Sequence, residues 1–167
     1  MKKAAKGWAC LVIFSIATHA WAANPFPMPL PDFQVSQADG TTISTTHIPQ
    51  SGKSFLVYTK PNCVSCDRFL RIFIKIKAEN PVLPSHMVIV VSGAQPSKLS
   101  DFAAQFPELS DAGWYADPSE TGVAQLQIKG MPVIFALNNN TVVWSFLGIP
   151  SGDTARFKAI LKSWLNS

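Results

Sequence analysis

Cys63-Val64-Ser65-Cys66 is the stretch of this sequence best suited to covalent chemistry. The thiolate is the reactive form of cysteine, and a cysteine that opens a helix is favoured as thiolate by unpaired backbone N–H groups and the helix dipole. That field is worth roughly 0.3–1 kcal/mol, rising to about 2 kcal/mol in a partly buried site. The spacing leaves Cys66 within reach of a mixed disulfide formed at Cys63. Cys63 would attack a partner disulfide and Cys66 would resolve the intermediate; run backwards, the pair donates its own disulfide. Other uses of the motif stay open. Zinc takes about four ligands, and beyond the N-terminal segment only His47 and His86 accompany the pair, neither in ligand spacing. A copper-handling thiolate pair could recruit Met131 or a histidine as a further soft ligand. An inert structural bridge is a weaker reading, because a C-x-x-C loop is too small to staple a fold.

The elements that must position the pair are legible from hydrophobic periodicity. Ser54–Thr59 reads as a strand, stopped by Pro61 just before the first cysteine. Beyond it, Ile72, Ile74 and Ile76 alternate as in a strand, but Cys66, Phe69, Leu70, Phe73 and Ile76 keep helical spacing over a segment too long for one. A helix over Val64 to Glu79 is therefore expected. Phe33–Val35 and the buried-type run Met87–Val91 read as strands, and Asp39-Gly40 as a turn. Leu99, Phe102, Ala103 and Phe106 predict a helix ended by Pro107. Asp117-Pro118-Ser119-Glu120 has the pattern of a helix start, with Asp117 as cap, Pro118 in the first turn and Glu120 completing a capping box. Val133–Leu137 and Thr141–Phe146 form a hairpin through Asn138-Asn139-Asn140, and Phe157, Ile160, Leu161 and Trp164 mark a closing helix. The succession is that of an α/β domain with parallel crossovers first and an antiparallel pair last. Trp114-Tyr115, Trp144 and Trp164 read as packing residues, and His47 and His86 fall in loops.

The N-terminus has a different character. Lys2, Lys3 and Lys6 precede an apolar run through Leu11, Val12, Ile13 and Phe14, followed by Ala20-Trp21-Ala22. A basic start, a short apolar run and an A-x-A site make a secretory signal peptide, 1–22, with cleavage expected after Ala22. The run is shorter than the roughly 20 residues that span a bilayer, and an uncleaved anchor is the alternative. Cleavage removes Cys10 and leaves Cys63 and Cys66 in an exported, periplasmic chain, where disulfides persist. It also removes three of the 14 basic residues, leaving 11 against 10 acidic, so the formal charge falls from +4 to +1. That body lacks the footprint of a nucleic-acid binder. A chain 47% hydrophobic and 14% charged can bury a core, which excludes a disordered tail or coiled coil. Residues 23–31, with proline at every second place, are expected to form a semi-rigid lead-in outside the core, with one domain over 32–167.

Gly130-Met131-Pro132, immediately before the strand V-I-F-A-L, completes the pattern. Together with Pro31-Asp32-Phe33, Asp39-Gly40, Gly52-Lys53, the C-V-S-C motif, Y-A-D-P and Gly148, it resembles the thioredoxin-like superfamily. The resemblance is to its exported branch of thiol–disulfide oxidoreductases, similar to TlpA and ResA. It covers nearly all of the chain beyond the signal segment. It implies a central mixed β-sheet flanked by helices, no cofactor, and protein thiols or disulfides as partners. It implies a cis Met131–Pro132 peptide facing Cys63 and Cys66, with Met131 offering backbone groups, and a flexible thioether, to a substrate chain. Similar proteins are more often reductants, recharged by a membrane electron donor, than oxidants. The sequence departs from the branch at several places. Thr59-Lys60-Pro61-Asn62 replaces the usual W-x-x-W, and Val64 stands where proline is frequent. Val57 and Phe69 occupy positions where relatives carry acids, so no proton acceptor for Cys66 carries over, and Asp67 is merely adjacent. A binding or assembly module that uses the same face without redox chemistry is the rival function.

Overall fold

The computed structural model describes residues 26–48, 52–79, 83–148 and 154–166. Eight strands form one sheet in the order β1-β8-β7-β4-β5-β6-β2-β3. In chain order these are β1 (Met28–Pro29), β2 (Gln34–Ser36), β3 (Thr42–Ser44), β4 (Lys53–Thr59), β5 (Met87–Ser92), β6 (Gly113–Asp117), β7 (Val133–Asn138) and β8 (Thr141–Leu147). The α-helices are α1 (Val64–Lys77), α2 (Pro96–Ala103), α3 (Thr121–Gln125) and α4 (Thr154–Asn166). The central strands β4, β5 and β6 are parallel, and every other pairing is antiparallel. Parallel neighbours need crossovers, which α1 and α2 provide. The result is the mixed sheet with flanking helices expected from the residue pattern.

Side-chain alternation divides the core in two. Phe55 and Val57 of β4 face α1, α2 and α4, where Phe69, Leu70, Phe73, Leu99, Phe102, Phe157 and Leu161 close over them. Leu56 and Tyr58 face the other way, against Phe33, Val88, Val90, Phe135 and Leu137. Phe69, Phe73 and Phe157 meet with ring centroids 5.1–6.0 Å apart, so the first face is tied together by aromatic edges. Trp114 stacks on Phe106 and gives its indole N–H to the Leu109 carbonyl at 3.1 Å, and Trp144 meets Trp164 edge-on. These tryptophans are packing residues. The hairpin turn is tighter than the three asparagines suggested: β7 includes Asn138, and Asn139 and Asn140 alone turn the chain, both at positive φ.

Two expectations need correction. Residues 26–30 of the proline-rich segment are not outside the core, while residues 23–25 lie outside the described residues. Met28 and Pro29 pair with Val142 and Thr141, Phe26 packs edge-on to Phe135, and Leu30 is buried. Proline is tolerated there because β1 is a sheet edge, where one side of the strand needs no donor. The second correction concerns Asp117. It is the last residue of β6, and α3 begins only at Thr121. Asp117 still caps that helix: its carboxylate accepts the N–H groups of Thr121 at 3.0 Å and Gly122 at 2.9 Å. Glu120 makes no capping box, because its backbone is left-handed (φ 55°) and its carboxylate accepts the Ser92 hydroxyl at 2.7 Å instead. Gly122 is required by contact. A Cβ there would sit 1.8 Å from the Tyr58 hydroxyl and 2.6 Å from the Phe33 ring.

Because Leu30 is buried by the second core cluster, Leu30→Ala is expected to cost about 2–4 kcal/mol in denaturant unfolding. Unchanged stability would mean that residues 26–30 add nothing to the folded domain.

Candidate redox site

The site is built at the end of β4. Every side chain from Ser54 to Thr59 is buried, so the chain can leave the sheet only at the strand's end. It does so through exposed Lys60, Pro61 and Asn62, and Asn62 takes the left-handed conformation (φ 55°) that asparagine tolerates. Cys63 then stands at the N-cap of α1 with extended backbone. Its sulfur accepts the Cys66 backbone N–H at 3.2 Å, in the place where a serine or aspartate oxygen would ordinarily cap. The Ser65 hydroxyl lies 3.3 Å from the same sulfur. Cys63 and Cys66 are joined as a disulfide.

The two cysteines differ in access. Cys63 is half-buried, while Cys66 is wholly buried on the inward face of α1, one turn before Phe69 and Leu70. An attacking group from outside therefore meets Cys63 first. Val64, between them, is 85% exposed. Such an exposed apolar side chain beside the Cys63 sulfur suits contact with another polypeptide.

Met131 and Pro132 reach the same end of the sheet through the register of β7. Tyr58 pairs with Val133 as the last pair of that ladder, and Thr59 and Pro132 are the residues that follow and precede it along the chain. The Met131–Pro132 peptide is cis, Pro132 is buried, and its carbonyl accepts the Gly148 N–H at 2.8 Å. The Met131 thioether is half-buried against the second core cluster, so part of its surface is committed to packing. Leu147, paired with Val133 at this end, is 57% exposed. The disulfide, the cis-proline and two exposed aliphatic side chains therefore share one end of the sheet.

The other residues weighed for chemistry fall elsewhere. Phe69 is part of the aromatic core. His86 bonds the Lys53 carbonyl at 2.9 Å, near the start of β4 and at the end of the sheet away from the cysteines. Among the described residues no three His, Cys, Asp or Glu side chains gather as a metal-holding group. Asp117 is the one buried acid among them, and burial raises its pKa while the N–H groups of Gly122 and Thr121 pull it back down. Burial and the charge of Asp117 push the Tyr58 phenol far above its usual range. Both belong to the second core face, opposite the face that holds Cys66. Ser65 and Thr59 escaped the sequence reading. Ser65 is recognisable only as a hydroxyl between the cysteines, and Thr59 looked like an ordinary strand residue. The proposed signal segment, 1–22, lies outside the described residues, among which no helix is long and apolar enough to cross a membrane.

No protein-family model and no curated protein matches the chain. Solved structures do. A candidate thiol:disulfide interchange protein DsbE from Chlorobium tepidum superposes with a TM-score of 0.63 at 18% identity, over 83% of this chain and 96% of that one. A secreted Mycobacterium tuberculosis disulfide oxidoreductase, homologous to DsbE of E. coli, gives 0.60 at 13% identity, over 78% and 95%. A thioredoxin-like protein from Bacteroides caccae gives 0.58 at 16% identity, over 84% of this chain and 50% of that one. The chain has the thioredoxin-like α/β fold.

With Ser65 Oγ 3.3 Å from the Cys63 sulfur, Ser65→Ala is expected to slow alkylation of reduced Cys63 at neutral pH by about threefold. Losing the hydrogen bond lowers the thiolate population by roughly tenfold, and the greater nucleophilicity of the freed thiolate offsets about half of that on a logarithmic scale. An unchanged rate would show that the hydroxyl does not support the thiolate.

Proposed function

We propose that this chain is an exported thiol–disulfide oxidoreductase that reduces disulfides in partner proteins through Cys63 and Cys66. The observation that carries the reading is the asymmetry of the pair. An accessible sulfur sits at a helix N-cap and accepts a backbone N–H, and it is bonded to a buried one a single turn along the helix. That arrangement separates an attacking cysteine from a resolving one. In the reduced state the Cys63 thiolate attacks one sulfur of a partner disulfide, and the partner's other sulfur leaves as a thiolate. The Cys66 thiolate then attacks Cys63, closing the intramolecular disulfide and releasing the second partner thiol. Two electrons pass to the partner, and Cys63 and Cys66 are left oxidised.

The partner is a polypeptide in this reading. Exposed Val64 and Leu147 would give it an apolar footing at the end of the sheet that holds the disulfide, and the backbone at Met131, before Pro132, would align its chain. Solved structures of the same fold described as disulfide oxidoreductases support the class of reaction. The reducing direction rests on the sequence resemblance to TlpA- and ResA-like proteins. It requires an electron supply, for which a membrane donor is the natural source. Residues 1–22 would direct the chain out of the cytoplasm to the periplasm and be removed after Ala22, leaving 145 of 167 residues. The domain would then begin at Phe26, ahead of the boundary at residue 32.

Cys66→Ala is expected to accumulate mixed disulfides with partner proteins, because the resolving thiol is gone, while Cys63→Ala is not. Equal trapping by both, or by neither, would overturn the assignment of roles. The reduction potential of Cys63–Cys66 in glutathione buffers is expected near about −270 mV, the range of a reductant. A value near about −120 mV would reverse the direction and make the protein a disulfide donor. A function that survives replacement of both cysteines would favour the assembly-module reading.

A further inference from the structure

Thr59 is the last residue of β4 and is 0% exposed, yet its hydroxyl has no hydrogen-bond partner among the described residues. A buried donor without a partner costs free energy, and such groups call for an explanation. Its place in the fold supplies one. Phe55 and Val57 of β4 face α1, so alternation turns Thr59 to the same side. The helix α1 runs back along β4 as a crossover, with Phe69, Leu70 and Phe73 covering that face. Moving from Phe69 to Cys66 is one turn toward the helix start, and moving from Val57 to Thr59 is one step toward the strand's end. Cys66 and Thr59 therefore lie in the same layer, the last one before the sheet ends. Neither neighbouring side chain offers the hydroxyl an acceptor: Val91, which pairs with Thr59 on β5, is aliphatic, and so is Pro132, which precedes β7 just beyond the Tyr58–Val133 pair.

We propose that the Thr59 hydroxyl donates a hydrogen bond to the Cys66 sulfur when the pair is reduced, and that this bond biases the pair toward the dithiol. The inference rests on the redox reading of the cysteines. In the disulfide the Cys66 sulfur is uncharged, and the Thr59 hydroxyl makes no hydrogen bond to it. As a thiol or thiolate it accepts well, and the buried hydroxyl gains the partner that it lacks in the oxidised form. The hydroxyl transfers neither electrons nor protons. With glutathione as reductant, two glutathione thiols supply two electrons and two protons, the Cys63–Cys66 bond breaks, and one glutathione disulfide forms.

Thr59→Val keeps the shape and removes the hydroxyl. In glutathione buffers the equilibrium constant for reducing the pair is expected to fall by roughly tenfold, the scale of one hydrogen bond. Thr59→Ser, which keeps the hydroxyl, should stay within about twofold of the unsubstituted protein on the same scale, and Thr59→Ala should show the loss if the valine variant does not fold. In denaturant, Thr59→Val should raise the unfolding midpoint of the disulfide form but not of the dithiol form. An unchanged reduction constant, or an equal gain of stability in both forms, would overturn the proposal and leave the redox function intact. A pair that cannot be cycled in the unsubstituted protein would overturn both.

Discussion

The strand β4 imposes the constraint on which the rest of the structure depends. It is hydrogen-bonded on both sides, to β5 and β7, and its side chains from Ser54 to Thr59 are buried. It can therefore neither bulge into solvent nor end early, and the chain is released at one point, Thr59. Three exposed residues separate that point from the N-cap of α1. The position of the Cys63 sulfur follows: it sits where a helix has unpaired N–H groups, and it accepts one of them. A redox pair placed mid-helix or mid-strand would lack both the donor and the access.

The two faces of the sheet divide the work. The first carries α1, α2 and α4, and its aromatic contacts among Phe69, Phe73 and Phe157 lock α1 to the sheet directly beneath the disulfide. That rigidity keeps Cys66 close under Cys63 in a helix whose first turn is otherwise exposed. The second face is closed by smaller devices. Asp117 ties the end of β6 to the start of α3, Tyr58 points its hydroxyl at that carboxylate from 3.5 Å, and Gly122 leaves room for both. An acid buried this way has its charged form opposed by desolvation and restored by the backbone N–H groups it receives. Its surroundings explain it as a structural anchor, one sheet thickness away from the cysteines.

Much of the fold was legible because its central elements are strongly patterned. The runs at Phe55–Tyr58 and Met87–Val91 are apolar, as strands buried on both faces must be, and α1 keeps its apolar spacing from Cys66 to Ile76, about three turns. The misreadings came where local signals are shared by different structures. Asp117-Pro118-Ser119-Glu120 carries the residues of a helix start, yet Asp117 is held in β6 by its neighbours and caps from a distance, so the helix begins later. Alternating prolines suggested a detached lead-in, whereas Phe26, Met28 and Leu30, standing between them, find apolar surface on the second face.

The cysteine motif, its position between a strand and a helix, and the proline before β7 were determined by residue identity and spacing alone, because thiol reactivity and helix-start electrostatics act within a few residues. What only the tertiary structure decided is which of those features meet. The register of β4 against β7 pairs Tyr58 with Val133 and so brings Pro132 to the end of β4 from which the cysteine loop leaves, while strand alternation turns Thr59 to the side of Phe55 and Val57, which α1 covers. Packing buries one cysteine while leaving the other reachable. Burial and pairing are properties of contacts between residues about seventy positions apart, from Cys63 to Pro132, and spacing along the chain does not encode them.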